Sequence, residues 1–60
     1  MFKIGHKVER ISAHFKGMKI GDTDIIIDIT GERRDTFTLK KFGDGHANYS
    51  FKLIGERNEI

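Results

Sequence analysis

Asp24-Ile25-Ile26-Ile27-Asp28-Ile29 places four isoleucines in six residues, the densest run of β-branched side chains in the chain. Isoleucine is stiff at χ1 and suits a pleated, half-buried surface, so this stretch reads as a strand. Side chains alternate along a strand. Parity therefore assigns Ile25, Ile27 and Ile29 to the core face, and Asp24, Ile26 and Asp28 to the outer face. A strand this apolar needs neighbours on both edges, or it invites aggregation.

Working outward, Thr30-Gly31-Glu32-Arg33-Arg34-Asp35 reads as a polar hairpin loop in which Gly31 supplies a positive φ. Asp35 to Lys41 alternates cleanly, with Phe37 and Leu39 inward and Thr36, Thr38 and Lys40 outward. Phe42-Gly43-Asp44-Gly45-His46 reads as a glycine-rich turn, and Phe51-Lys52-Leu53-Ile54 as a last short strand. Upstream, Lys7-Val8-Glu9-Arg10-Ile11 forms a first strand. Between it and the isoleucine strand, Ser12 to Thr23 lacks periodicity and carries Gly17 and Gly21; loops of such length in compact domains are usually functional or mobile. No window carries helical apolar spacing. The pattern is all-β: four or five short strands in a small barrel or sandwich.

At 60 residues the chain makes one domain, expected over residues 1–55 with a polar tail at 56–60. It has no cysteine, which excludes disulfides and thiolate zinc sites, so its core must come from the five Phe, Tyr49 and the Ile, Val, Leu and Met residues, or from a partner subunit. No apolar run approaches the roughly 18 residues of a membrane span, and no signal peptide is visible, so a cytoplasmic location is expected. Eleven basic and nine acidic side chains leave a net charge of +2, a weak electrostatic signal, with the pairs Arg33-Arg34 and Lys40-Lys41 diluted by nearby acids.

Three stretches carry a family resemblance. Ile4-Gly5-His6-Lys7-Val8-Glu9-Arg10-Ile11 resembles the opening strand of small SH3-like and KOW-like barrels. Met18-Lys19-Ile20-Gly21-Asp22, followed by the isoleucine strand, resembles their next element. Ala47-Asn48-Tyr49-Ser50-Phe51-Lys52-Leu53-Ile54 is similar to the closing segment of SH3 domains. The resemblance covers about residues 4–54. It implies an SH3-like barrel of about five short antiparallel strands, with a long loop after the first and a 3₁₀ turn before the last. It extends to small SH3-like proteins of bacteriophages and mobile elements, which implies an accessory protein that docks on a protein partner. The "Ala-Leu-Tyr-Asp-Tyr" motif of the SH3 ligand groove and any tryptophan are missing, so recognition of proline-rich peptides is not implied.

Candidate sites are read against that background. His6, His14 and His46 are scattered and read as surface or turn histidines rather than metal ligands. Asp22, Asp24 and Asp28 lack the glycine and terminal glutamate of a calcium loop and read as solvated strand-face carboxylates. No nucleophile elbow or phosphate-cradling loop is present, and neither an enzyme nor a cofactor is expected. A binding module is. The loop and the face adjoining it, with His14, Phe15, Lys16, Met18 and Tyr49, are the candidate protein-binding residues, because aromatic and methionine side chains are favoured at protein contacts. The same sequence equally allows Phe15 or Met18 to fold back as a lid. The alternative is nucleic-acid binding through Arg33, Arg34, Lys40, Lys41, Phe42, His46 and Tyr49, cations for phosphates and rings for stacking. A homodimer paired through Ile26, assigned to the outer face, is a further expectation.

Overall fold

A computed structural model describes residues 2–55. They form five strands: β1 (Lys7–Arg10), β2 (Thr23–Thr30), β3 (Thr36–Leu39), β4 (Gly43–Ala47) and β5 (Phe51–Gly55), with a 3₁₀ turn over Asn48–Ser50 leading into β5. All pairings are antiparallel, in the order β4-β3-β2-β1-β5. The fold is all-β, as the strand pattern predicts. The polar tail expected at 56–60 lies outside the described residues. Among those described, no helix is long and apolar enough to cross a membrane.

The sheet is strongly curled. On a flat sheet β3 and β5 would lie three strand spacings apart, about 14 Å. The rings of Phe37 on β3 and Phe51 on β5 instead meet at 5.8 Å, and Phe2 closes edge-on against Phe37 at 5.0 Å. Inside the curl lie Val8, Met18, Ile26, Ile29, Phe37, Leu39 and Phe51, with Phe2 and Phe42 packed against them.

The face assignment within β2 is corrected by a bulge. Ile26 pairs with Leu39 and Asp28 with Thr38, so two residues of β2 advance against one of β3. Phe37 and Leu39 both point inward, two residues apart. Their partners Ile29 and Ile26 are three apart, and only a bulge lets all four share the core. Parity accordingly holds for Ile29 but fails upstream: Asp24 and Ile26 are buried, Ile25 is half-buried and Ile27 is 39 % exposed. With Ile26 inside, it supports no dimer contact.

The second correction concerns Gly43-Asp44-Gly45, which is the start of β4 and not a turn. Gly43 and Gly45 take φ of +83° and +84°, a region most side chains avoid. The three residues from Gly43 to His46 span the two from Leu39 to Phe37, a second irregularity of register. The irregular backbone delivers His46 to the interior.

Candidate functional site

The long loop is held in place by its own small hairpin. Phe15 and Met18 exchange both backbone hydrogen bonds, at 3.0 and 2.9 Å, around Lys16 and Gly17. Both central residues have positive φ, +52° and +82°, the signature of a type I′ turn. Such a turn separates its flanking side chains. Met18 is fully buried in the core, whereas Phe15 is 41 % exposed and stands edge-on over the His46 ring at 5.2 Å. Met18 is thus the lid residue of the pair and is corrected from binding surface to core.

Lys16 anchors the hairpin tip to β4. Its Nζ donates to the Asp44 carboxylate at 2.8 Å and to the Asp44 carbonyl at 2.9 Å. The hydrogen bond and charge of Lys16 hold the Asp44 carboxyl below its ordinary range. A carboxylate depressed in the folded state stabilises above its unfolded-state pKa, and that contribution is lost as pH falls through the lower folded value. Acidification below the ordinary carboxylate range is therefore expected to release the Phe15–Met18 hairpin from β4. Chemical shifts of the Lys16 and Gly17 amides should follow the Asp44 titration, and Asp44→Asn should produce the released spectrum at neutral pH. Both groups are largely exposed, so the effect on global stability should be small.

Beneath the hairpin lies a buried polar centre. Arg10, 2 % exposed, projects from β1 with its guanidinium carbon 4.7 Å from the centroid of the Phe51 ring. One Nη donates to the Ser12 and Ala13 carbonyls at 3.0 and 3.2 Å, which closes the loop back onto the strand. The other lies 2.9 Å from His46 Nδ1. A guanidinium has no acceptor, so Nδ1 must be the unprotonated nitrogen. His46 Nε2 then carries the proton and donates to the Phe42 carbonyl at 3.1 Å. Burial lowers the Arg10 pKa, but an arginine remains charged. Among the described residues Arg10 meets no carboxylate, and its Nε has no partner.

Of this centre Arg10 reaches a groove of about 220 Å³, which it lines with Ala13, His14, Phe15, Tyr49 and Ser50 along with Gly45 and Ala47. The 3₁₀ turn sets one wall. Ser50 is buried and its carbonyl accepts from Ile11 N–H at 2.7 Å, which leaves Tyr49 on the outer side at 81 % exposure. Phe15 and Tyr49 thus stand exposed beside a fixed polar floor. Of the residues expected to bind protein, His14, Phe15 and Tyr49 come together here, Lys16 is engaged by Asp44, and Met18 is buried. Arg10 and Ser50 were not anticipated. Their signal was slight: Arg10 sits at an even, inward position with Val8, unusual for a cation.

The alternative cationic set is dispersed. Arg33 and Arg34 lie at the β2–β3 turn, beside a depression that includes Phe2 and Asn48. Lys40 and Lys41 follow the far end of β3. Arg34 and Lys40 are six positions apart, about 20 Å in extended chain. Lys40 and Lys41 are joined instead by Lys7 around Asp24. Phe42 is half-buried against the core, and His46 is wholly buried, so His46 is corrected from nucleic-acid contact to interior residue.

The other polar assignments divide. His14 is exposed as expected, but His6 is buried and accepts the Lys3 N–H at 3.0 Å. Asp28 is exposed and Asp22 half-buried, whereas Asp24 is buried and accepts backbone N–H groups from Ile25, Lys41 and Phe42 at 2.8, 2.7 and 3.1 Å. Among the described residues no cluster of three or more His, Asp or Glu side chains is placed to hold a metal. No family model matches the chain, and neither a curated protein nor a solved structure does.

Proposed function

We propose that the domain is a non-catalytic binding module that receives an extended segment of a protein partner in the groove between the Phe15–Met18 hairpin and the 3₁₀ turn. The observation that carries this reading is Tyr49: a tyrosine 81 % exposed, lining one groove with an exposed phenylalanine and with Arg10, whose guanidinium is hydrogen-bonded to Ser12, Ala13 and His46. Exposed aromatic side chains on a preorganised floor are the usual anchors of a protein contact, because they bury much area for little conformational entropy. The strand order and the 3₁₀ turn before β5 support the SH3-like reading, while the role of a phage or mobile-element accessory protein rests on the sequence resemblance alone. Fold likeness supports a binding role but names no partner.

The test is a peptide library selected on the wild-type domain and mapped by amide shifts. Selected peptides are expected to perturb His14, Phe15, Tyr49 and Ser50, and to lose about tenfold or more in affinity on Tyr49→Ala. As Tyr49 is largely exposed, that variant should keep its stability within about 0.5 kcal/mol. Selected peptides that move only amides outside the groove would overturn the reading. A second reading, nucleic-acid binding, draws on the gathering of Lys7, Lys40 and Lys41 around one depression. In the same spectra, salt-sensitive shifts at those three residues on adding oligonucleotides would favour it.

A further inference from the structure

Arg10 is an uncompensated charge in the floor of a groove. Its Nη groups place three of their four protons on two neutral carbonyls and a neutral imidazole, and its flat face rests on Phe51. None of these carries a negative charge. A buried ion without a counter-ion is expensive, and an arriving anion regains much of that penalty. Of the five guanidinium N–H donors these contacts use three, and the Nε proton, buried and unpartnered, is among those left over. Three acidic residues border Arg10 and none meets this need: the carbonyl of Asp22 accepts the Arg10 N–H at 2.9 Å, but its carboxylate accepts the Lys19 N–H at 3.0 Å. Asp44, two residues before His46, is engaged by Lys16, and Glu9, beside Arg10 on β1, turns outward toward Lys52 at 3.9 Å.

Resting on the groove reading, we infer that the groove selects a partner segment by one acidic side chain, whose carboxylate enters between Phe15 and Tyr49 and pairs with Arg10. The carboxylate belongs to a side chain rather than to a chain terminus. With Arg10 only 2 % exposed and the groove about 220 Å³, a carboxylate on a flexible stem can reach the floor while its backbone stays at the rim. Glutamate, with the longer stem, suits the depth better than aspartate. An apolar or aromatic neighbour in the segment would lie along Tyr49. Charge-assisted hydrogen bonds to guanidinium are about twice as strong as neutral ones, so the acidic residue sets specificity while the rings add area.

The probe is a blocked tripeptide, acetyl-alanyl-glutamyl-phenylalanine amide, compared with its glutamine counterpart by titration into ¹⁵N-labelled protein. Both the backbone amides and the Arg10 Nε–H resonance are followed. The expected result is saturable binding in which the glutamate peptide is favoured about tenfold or more, with the Arg10 Nε–H signal moving in step with Phe15 and Tyr49. Tyr49→Ala, which leaves Arg10 in place, should weaken both peptides while preserving the preference. Equal affinities, or groove amides that move while Arg10 Nε–H stays still, would overturn the acidic selectivity and leave the groove reading standing. No groove shift with either peptide would overturn both. The same tripeptide with a free C-terminal carboxylate and glutamine in place of glutamate separates the two sources of carboxylate. Were it to bind better than the blocked glutamate peptide, the assignment to a side chain would fail.

Discussion

Asp24→Ala is expected to destabilise the domain by about 3–5 kcal/mol, against a total stability of about 3–9 kcal/mol for a chain of this length. Asp24 is 2 % exposed, and its Oδ2 accepts the N–H groups of Lys41 and Phe42, two of the three residues that carry the chain from β3 into β4. Oδ1 accepts from Ile25. Hydrogen bonds to a charged acceptor are each worth about 1.5–3 kcal/mol, and alanine would leave buried donors with no acceptor. Asp24→Asn keeps an oxygen of the same shape but loses the charge, so it should sit between wild type and alanine. Urea unfolding monitored by circular dichroism measures both. A loss below about 1 kcal/mol for alanine would mean that water satisfies those amides and that the carboxylate is not what holds the β3–β4 connection.

Phe37→Ala is expected to cost about 3–5 kcal/mol as well, by a different route. Phe37 is the ring on which the curled sheet closes, in contact with Phe2 from the amino-terminal segment and Phe51 from β5. Its removal opens a cavity between elements that no backbone hydrogen bonds join, so little can collapse to fill it. For so small a domain the variant should be largely unfolded at 37 °C. A cooperative thermal transition retained near that of wild type would show that β1, β2 and β5 form the stable unit without the Phe37 contact. Phe37→Leu, which refills part of the volume, should recover about half of the loss.

Both variants probe features with different legibility in the sequence. Phe37 and Leu39 were readable as core from alternation alone, because β3 is regular and one of its faces is buried. Asp24 was not. A carboxylate in a strand is ordinarily solvated, and its burial depends on two backbone amides that the chain brings back 17 and 18 residues later. The parity of β2 failed for a related reason. Alternation assumes one register, and the bulge at Ile27 is set by β3, whose two inward residues demand partners three apart. Likewise β4 was concealed by its glycines, which in sequence mark a turn and here allow a strand to bend.

At the groove the division is similar. The aromatic loop and Tyr49 were visible as candidates, since large apolar side chains beside glycines and polar neighbours stand out. Which of Phe15 and Met18 would face outward depended on the type I′ turn between them. The Arg10–His46 pair, 36 positions apart, left no local mark.

The sequence by itself determined the all-β class, the short strands other than β4 and the absence of cysteine chemistry, because periodicity, β-branching and composition are local properties; the 3₁₀ turn before β5 was implied only by the resemblance of residues 47–54 to the close of SH3 domains. Only the tertiary structure decided which polar groups go inside. Burial of Arg10, Asp24 and His46 is tolerated solely where acceptors and donors from distant segments converge on them, and that convergence exists only once the sheet has curled.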